Sequence, residues 1–363
     1  MKSKKIALFP NHPSQIWVLK PVADFLNEQD GIEVLWFIRD KDVSVDLARN
    51  LEINAVVVSR ARTGFIGNGI ELFINVFKCA YYTLRFGIDV WVTKYGCGSM
   101  VAFFLGRKAV AFNDDDADVV PLIAATSYPF SKTVLVPKPT RMKKYEKKAQ
   151  RYNGNHELFY LHPNRFRPNS KVLEELGLAE GKPFGLVRLS ALGAHHDVGV
   201  EGVSGDVVRK VIRLCNRIGI KVFITSEKPL EREFESHRLN VSVEKIHHVL
   251  HFARFLVGDS QTMTVEAAVL GTPSFRLSDF VGKISYIDEI EKYGLSFGYR
   301  PSLWREMLDQ MERALCDKDF FETQKKKHEI FLNAKIDPVP WFAEKILEVL
   351  AGHDVRLLSK GSV

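Results

Sequence analysis

The sequence predicts an α/β protein with two doubly wound domains, and three observations lead to this prediction. The chain has 363 residues, more than one hydrophobic core ordinarily serves. Short β-rich runs alternate with helical patterns in both halves, which is typical of parallel βαβ units. Residues 161–170 contain two prolines and no periodicity, and they therefore indicate a connector between the halves.

In the first half, apolar and β-branched runs predict strands at 5–9, 33–38, 55–59, 90–93 and 108–112. Apolar residues at helical spacing predict helices at 16–29, 43–50, 70–86 and 99–105. The basic segment 138–151 is also predicted to be helical. The aromatic-rich helix 70–86 is interpreted as core packing, with a surface that meets a lipid or a hydrophobic acceptor as the alternative.

The alternation resumes in the second half, with strands predicted at 183–189, 221–225, 255–257 and 273–276 and helices at 205–219, 244–253, 262–270 and 342–350. The predicted organisation is an N-terminal domain (1–160), the connector (161–170), a C-terminal domain (171–336) and a final segment (337–363). Two open sheets joined in this way form a cleft, and ligands bind there at the carboxyl ends of the strands.

Composition excludes several classes of protein. Hydrophobic residues make up 46% and charged residues 26% of the chain, and no apolar run is long enough to span a bilayer. The basic N-terminus precedes an apolar run too short for a signal peptide. Four scattered cysteines fit a reducing cytosol and argue against a zinc site. We therefore expect a cytoplasmic protein.

The net charge of +7 is concentrated in residues 138–151, with a second cluster at Lys325, Lys326 and Lys327. One interpretation is that these are solvated helix faces. The other is attraction to anionic lipid or to a polyanionic substrate, with peripheral contact at the inner membrane face. Nucleic acid is not expected, because no helix-turn-helix, finger or aromatic RNA-binding signature accompanies the charge.

Residues 258–268 are the most informative segment. They follow an apolar run and turn from Gly258-Asp259-Ser260 directly into a predicted helix, whose first turn carries the polar Gln261 and Thr262. Backbone N–H groups and the positive end of a helix dipole meet there, which predicts a phosphate site. Glu266 lies about two turns into the helix, where its carboxylate would accept hydrogen bonds from a ribose diol. The segment therefore predicts a nucleotide ligand.

Polar residues follow two predicted strands of the first half. His12 is interpreted as a general base or sugar-hydroxyl ligand, or else as an exposed turn histidine. Lys94 would offer a cation to a phosphate or carboxylate. Gly96 and Ser99 belong to a turn that lets a ligand approach the backbone, or that only joins a strand to a helix.

Four carboxylates lie within residues 114–118, and their mutual repulsion raises the proton affinity of at least one of them. Asp114 and Asp115 are interpreted as an acid–base pair, as ligands of sugar hydroxyls or as helix caps, and Asp114 and Asp116 as ligands of a single divalent metal. Asn113 is a candidate substrate contact. A calcium-binding EF-hand loop is excluded, because Val119 and Ala125 occupy the positions that need glycine and glutamate.

In the second half, Arg188 at the end of a predicted strand would clamp a diphosphate. The loop after it carries His195 and His196 beside Asp197, which would orient an imidazole. One of these two histidines is expected to be functional. Another group lies on a helical pattern and is interpreted as surface or packing residues: His247, His248 and His251.

The chain resembles a family of bacterial and archaeal proteins of unknown function that are described as predicted glycosyltransferases of the GT-B fold. The resemblance is carried by residues 112–115, 160–163, 188–197 and 258–268 taken together. The resemblance covers nearly the whole chain. The family is more distantly similar to the non-hydrolysing UDP-N-acetylglucosamine 2-epimerases. The resemblance implies two Rossmann-like domains, a nucleotide-sugar site in the C-terminal one, and a final helix that returns to the N-terminal domain, which would form the acceptor side.

The epimerase pattern is matched only in part. The epimerases hold UDP with a Ser-Gly-Gly motif, whereas this chain has Ser260, Gln261 and Thr262. Their catalytic glutamate is not matched either, because Asn113 and aspartates stand there.

These expectations combine in a metal-independent glycosyltransferase that needs no cofactor and uses a nucleotide sugar of UDP type in surface polysaccharide or glycolipid biosynthesis. Its acceptor would be a sugar or a lipid-linked sugar. The roles would be divided among a donor site (Arg188, Asp259, Ser260, Gln261, Thr262 and Glu266), a base (Asp114, Asp115 or His12) and a group that stabilises the leaving phosphate (His195 or His196). The alternatives are an enzyme similar to the UDP-sugar 2-epimerases and a non-catalytic nucleotide-sugar-binding protein.

Overall fold

The computed structural model describes residues 3–41, 43–62, 64–178, 181–190, 202–227 and 229–352. The chain divides into two compact units. Unit 1 comprises residues 1–160 together with 336–363, and unit 2 comprises residues 161–335.

Unit 1 is built on a seven-stranded parallel sheet of β1 (Lys4–Phe9), β2 (Ile32–Asp40), β3 (Ala55–Arg60), β4 (Val90–Thr93), β5 (Lys108–Phe112), β6 (Thr133–Pro137) and β7 (Ala149–Tyr152). Its strand order is β3-β2-β1-β4-β5-β6-β7. The helices of this part of the chain are α1 (Pro13–Asn27), α2 (Ser44–Asn50), α3 (Gly64–Phe86), α4 (Gly96–Phe104), α5 (Pro121–Ser127), a 3-10 helix (Lys143–Lys148) and α6 (Leu158–Leu161).

Unit 2 is built on a five-stranded parallel sheet of β8 (Phe184–Leu189), β9 (Lys221–Ser226), β10 (Leu256–Gly258), β11 (Ser274–Leu277) and β12 (Ser296–Tyr299), in the order β12-β11-β10-β8-β9. Its α-helices are α7 (Lys171–Glu175), α8 (Gly205–Arg217), α9 (Ile246–Phe252), α10 (Gln261–Leu270), α11 (Ser285–Lys292), α12 (Trp304–Cys316) and α13 (Phe320–Asn333). Its 3-10 helices are Arg232–His237, Val243–Lys245 and Pro301–Leu303. The predicted α/β class with two doubly wound sheets is confirmed.

The last helix, α14 (Pro338–Ala351), belongs to unit 1. It begins at the cap Asp337, whose carboxylate accepts the N–H of Val339, and it ends at Gly352 in the left-handed region with φ 90°. Its buried residues share one core cluster with β1, β4, β5 and α1. On the other face of the sheet, α3 and α4 pack over Trp91 and Phe37 in a separate cluster. The sheet is therefore covered by helices on both faces.

The helix predicted over residues 138–151 is wrong. The structure has only the 3-10 turn there, followed by β7, which pairs with β6 in parallel. The segment lacks an apolar stripe for a helix to bury, and Lys143 takes a positive φ of 52°. Several of its cations form ion pairs with nearby carboxylates: Arg141 with Asp116, Lys143 with Asp118, and Arg151 with Glu146.

Gly185 in β8 is required by packing. A Cβ at this position would overlap the ring of Phe255, which is fully buried. We expect Gly185→Ala to lower the free energy of unfolding by about 1–3 kcal/mol, because the ring has to shift within a close-packed core. Chemical denaturation of the purified protein would measure this. Gly69→Ala is the control, because a Cβ there meets nothing within 4 Å, and equal effects of the two substitutions would contradict the packing argument.

Candidate functional site

In unit 1, the strand order reverses between β1 and β4, which are hydrogen-bonded neighbours at the centre of the sheet. The carboxyl ends of strands beside such a switch point are the usual place for ligands in open α/β sheets. Polar residues follow the carboxyl ends of three strands on the β4 side of this point: Lys94 after β4, residues 113–116 after β5, and residues 153–157 after β7.

Lys94 lies between two carboxylates. Its Nζ is 2.8 Å from Asp114 Oδ1 and 2.8 Å from Asp115 Oδ2, and all three side chains are largely buried. Burial would lower the pKa of Lys94, but the two carboxylates outweigh it and raise this pKa well above the usual lysine value. Lys94 is therefore a fixed positive charge in the candidate site.

His156 completes this group from the far side of Asp114. Its Nδ1 is 3.2 Å from Asp114 Oδ2, and only 6% of its side chain is exposed. The imidazole packs against Phe112 and Phe159. Its other nitrogen, Nε2, is buried and makes no hydrogen bond within the part of the chain that the structure describes. When Nδ1 of the neutral imidazole donates its proton to Asp114, Nε2 carries no proton and is a hydrogen-bond acceptor.

Asp114 is kept ionised by its neighbours. Burial alone would raise the pKa of Asp114, but its pairing with His156 and Lys94 outweighs burial and holds this pKa well below the usual range. A carboxylate of this kind is a poor proton acceptor near neutral pH and is better suited to orienting a histidine. The assignment of Asp114 itself as the base stays an untested prediction.

Two neighbouring residues stiffen the loop after β5. Asn113 Nδ2 donates to the hydroxyl of Tyr128 at 2.7 Å, and Asn113 Oδ1 accepts the N–H of Asp115. Burial raises the pKa of Tyr128 to about 12. Asp116 is fully buried and accepts the backbone N–H of Arg141 at 2.6 Å. These contacts hold Asp114 and Asp115 in place, and Asn113 acts here through the loop's own hydrogen bonds.

The other predicted residues of unit 1 have local contacts. His12 is exposed and caps α1, where its Nδ1 accepts the N–H of Ser14. A Cβ on Gly96 would come within 2.5 Å of Thr126, so the glycine allows α4 to pack on α5. Ser99 is buried and bonds to Ser127 and Ser131. The structure therefore brings Lys94, Asp114 and Asp115 together, and it gives Gly96 and Ser99 packing roles.

The structure also bears on the metal alternative for the aspartates. Across the described ranges, no group of three or more His, Cys, Asp or Glu side chains is arranged to hold a metal ion. The positive charge beside Asp114 and Asp115 is the ammonium group of Lys94.

In unit 2, the predicted strand-to-helix turn is present. Ser260 caps α10 and its Oγ accepts the N–H of Met263, while Gly271 ends the helix with φ 83°. The first backbone N–H groups of a helix have no intrahelical partner and carry the positive end of its dipole. The N-terminus of the ten-residue helix α10 therefore has the free N–H groups and the dipole end that favour a phosphate group. Gln261 and Thr262, in its first turn, are partly exposed.

Asp259 has a structural task beside that helix start. Its carboxylate accepts the N–H of Ser190 at 2.8 Å and the N–H of Val203 at 3.3 Å. Burial raises the pKa of Asp259, although these hydrogen bonds oppose the rise. Asp259 thus joins the end of β8 to the chain that leads into α8. His195 and His196 lie outside the described residues.

Arg188 lies on β8 beside the start of α10, since it pairs in register with Gly258. Its guanidinium donates to Thr225 Oγ1 and to Glu227, and its Nε is buried without a hydrogen bond within the described residues. The guanidinium is therefore fixed in orientation close to the predicted phosphate site.

Glu266 is buried on the side of α10 that faces α9, where Glu266 Oε1 lies 3.0 Å from His247 Nε2. His247, interpreted as a surface or packing residue, also contacts the carboxylate that is predicted to hold a ribose. The ribose role itself stays a prediction.

His156 is the residue that the sequence reasoning missed, together with Tyr128 and the buried Tyr152. A strand predicted at 149–152, which pairs with β6, would have indicated His156. It places residues 153–157 at the carboxyl end of a strand, where ligands bind.

No family model and no curated protein matches the sequence. Solved structures do match over nearly the whole chain. The S. aureus MnaA–UDP co-structure has 12% identity and a TM-score of 0.68, with 95% of each chain covered. UDP-GlcNAc 2-epimerase from Neisseria meningitidis bound to UDP-GlcNAc has 12% identity and a TM-score of 0.67, covering 96% of this chain and 99% of that one.

A transferase matches in the same way. The spinosyn forosaminyltransferase SpnP has 15% identity and a TM-score of 0.62, with 96% of this chain and 99% of that chain covered. At these identities the likeness concerns the fold, and it confirms the predicted relationship. The chain has the fold that UDP-GlcNAc 2-epimerases share with GT-B glycosyltransferases.

Proposed function

We propose that the protein is a nucleotide-sugar-dependent glycosyltransferase in which His156 is the general base. The observation that carries this proposal is the Asp114–His156 pair with a buried Nε2 that makes no hydrogen bond within the described residues. A histidine oriented by a carboxylate on one nitrogen accepts a proton on the other, which is what deprotonation of an acceptor hydroxyl requires.

The proposed reaction balances without a redox step. The acceptor oxygen forms a bond to the anomeric carbon of the donor as the bond from that carbon to the phosphate oxygen breaks. The acceptor proton passes to His156 Nε2, and the nucleoside diphosphate leaves as an anion. Lys94 stabilises the ionised Asp114, which in turn stabilises the imidazolium that forms. The reaction needs no cofactor.

The donor is assigned to unit 2 in this proposal. The start of α10 and the fixed guanidinium of Arg188 favour a diphosphate, and the bound UDP and UDP-GlcNAc named for two similar structures support the same class of ligand. The acceptor is proposed to be a sugar or a lipid-linked sugar of a surface polysaccharide or glycolipid. That assignment rests on the sequence resemblance.

A UDP-sugar 2-epimerase is the second candidate. The MnaA–UDP co-structure and the Neisseria meningitidis UDP-GlcNAc 2-epimerase are similar to this chain with TM-scores of 0.68 and 0.67. The experiment that separates the two is product analysis with a panel of UDP-sugars, with and without a panel of sugar acceptors. Release of UDP that depends on an acceptor, with a new glycoside, supports the transferase. A change of the sugar without any acceptor supports the epimerase. Binding of UDP without turnover in any combination would indicate a non-catalytic binding protein.

Glu266→Ala tests the donor site separately from the chemistry. If the carboxylate holds the ribose, the affinity for UDP measured by calorimetry should fall about 10-fold or more, because charged hydrogen bonds are lost. His247→Ala is the matched control, since it breaks the same buried pair from the other side. Both variants should lower the unfolding temperature, but only Glu266→Ala should weaken UDP binding. Wild-type affinity in Glu266→Ala would remove the ribose role.

A further inference from the structure

One helical layer of unit 1 exposes many large apolar side chains. On α3 they recur at intervals of three and four residues and form a single stripe, the α3 stripe, made of Ile70, Phe73, Phe77, Tyr81 and Leu84. Leu84 is 68% exposed and Phe73 64%. Core packing of α3 is provided by other positions, among them Leu72 and Val76. The stripe is therefore not needed to hold α3 on the sheet.

A second exposed cluster lies at the end of α4. Phe103 and Phe104 are exposed, the latter to 73%, and both contact Phe130, with ring centroids 5.5 and 6.0 Å apart. The helices α3, α4 and α5 pack side by side in one layer. The ends of α3 and α4 lie just before β4 and β5, so Leu84 and this aromatic cluster lie toward the same edge of the sheet, the amino edge.

The charge at this edge is positive. Arg85, Arg107 and Lys132 are exposed and lie shortly before β4, β5 and β6. The three helices contain a single acidic residue, Glu71, which is buried and bound to Arg39. Asp89 lies at the same edge, and its carboxylate accepts the N–H of Lys5.

A small hollow opens at the amino edge as well. It is lined by three cations and one carboxylate, from Lys4, Lys108, Arg107 and Asp89. The cations of this hollow suit the phosphate headgroup of an anionic lipid, and the exposed aromatic side chains of the helical layer suit the start of its acyl chain.

We propose that the α3–α5 layer of unit 1 docks on the surface of a membrane that contains anionic lipids. Among the described residues, no helix is long and apolar enough to cross a bilayer, and the α3 stripe occupies one side of its helix, as expected of a helix that lies in the interface. A second copy of the chain fits less well, because a symmetric contact would bring two positively charged patches together. The proposal does not depend on the proposed function.

Vesicle co-sedimentation tests it with the full chain. We expect binding to vesicles of phosphatidylcholine with about one third phosphatidylglycerol to exceed binding to pure phosphatidylcholine by at least about 10-fold, and to weaken as salt is raised. The double variant Phe77→Ser/Leu84→Ser should reduce the fraction bound by about 10-fold, and Arg85→Glu/Lys132→Glu should remove the preference for the anionic lipid.

Ile330→Ser is the matched control, because Ile330 is an equally exposed aliphatic side chain on α13 of unit 2. Its binding should equal that of the unchanged protein. Equal binding to both kinds of vesicle, or full binding by Phe77→Ser/Leu84→Ser, would overturn the proposal. A dimer in light scattering that this double variant dissociates would assign the layer to a second copy and overturn it too. Neither vesicle binding nor light scattering depends on whether the protein is active on soluble substrates.

Discussion

Replacing His156 with glutamine is expected to lower the rate of sugar transfer by about 10²–10⁴-fold, the usual contribution of a general base. Glutamine keeps a polar side chain of similar reach but cannot accept the proton at neutral pH. The affinity for UDP should stay unchanged, because the proposed donor contacts belong to unit 2. The measurement is the rate of UDP release with the donor and acceptor found in the panel experiment, together with calorimetry for UDP.

A pH profile distinguishes a base from a structural residue. The activity of the unchanged enzyme should fall toward acidic pH, and the residual activity of His156→Gln should lack that fall. Asp114→Asn should also reduce turnover, because Asp114 orients the imidazole. His237→Gln is the control, since His237 binds a backbone carbonyl in unit 2. Wild-type turnover in His156→Gln would contradict the assignment.

Lys94→Met is expected to give the largest loss of stability, about 3 kcal/mol or more at pH 7. The substitution leaves Asp114 and Asp115 buried without the cation that both of them contact, and breaking a buried ion pair from one side costs about 3–5 kcal/mol. Urea denaturation at pH 7 would measure the loss. Lys20→Met is the control, because the Lys20–Asp24 pair is much more exposed and should contribute less than about 1 kcal/mol.

The sign of the pH dependence follows from the carboxylates. In the unchanged protein the pKa of Asp114 is depressed, so its ionised form adds stability above the unfolded value of about 4, and that stability is lost only as pH falls toward the lower folded value. Without Lys94 the burial of Asp114 is no longer balanced by that cation, so the pKa of Asp114 should rise. Its ionised form should then destabilise the fold at neutral pH and stop doing so once it is protonated. The deficit of Lys94→Met should therefore shrink between pH 7 and pH 5. A deficit that stays constant would contradict this account.

The start of α10 shows what local patterns could predict. Ser260 and Gly271 are residues whose side-chain or backbone chemistry starts and ends a helix without help from the rest of the fold, and both ends lie where the pattern places them. The predicted strand before Asn113 is present for a similar reason, because its buried run is short, continuous and apolar.

The pairing of Asp114 with His156 could not be predicted in the same way. The two residues are brought together only by the order of β5, β6 and β7 in the sheet, and both β6 and β7 were missed. Lysines and arginines around residue 148 obscure the short strand β7, whose strand character comes from pairing with β6. The contact of Glu266 with His247 is likewise a product of helix packing between α9 and α10.

The return of α14 to unit 1 has a consequence for the order in which the protein is made. Phe342 and Ile346 complete the same hydrophobic cluster as β1 and β5, so this cluster stays open to water until those residues have left the ribosome. Unit 2 is continuous in sequence, from residue 161 to 335, and its synthesis is complete before that moment. During synthesis the first unit to begin is therefore the last to close, and its unfinished core is the surface that a chaperone would have to shield.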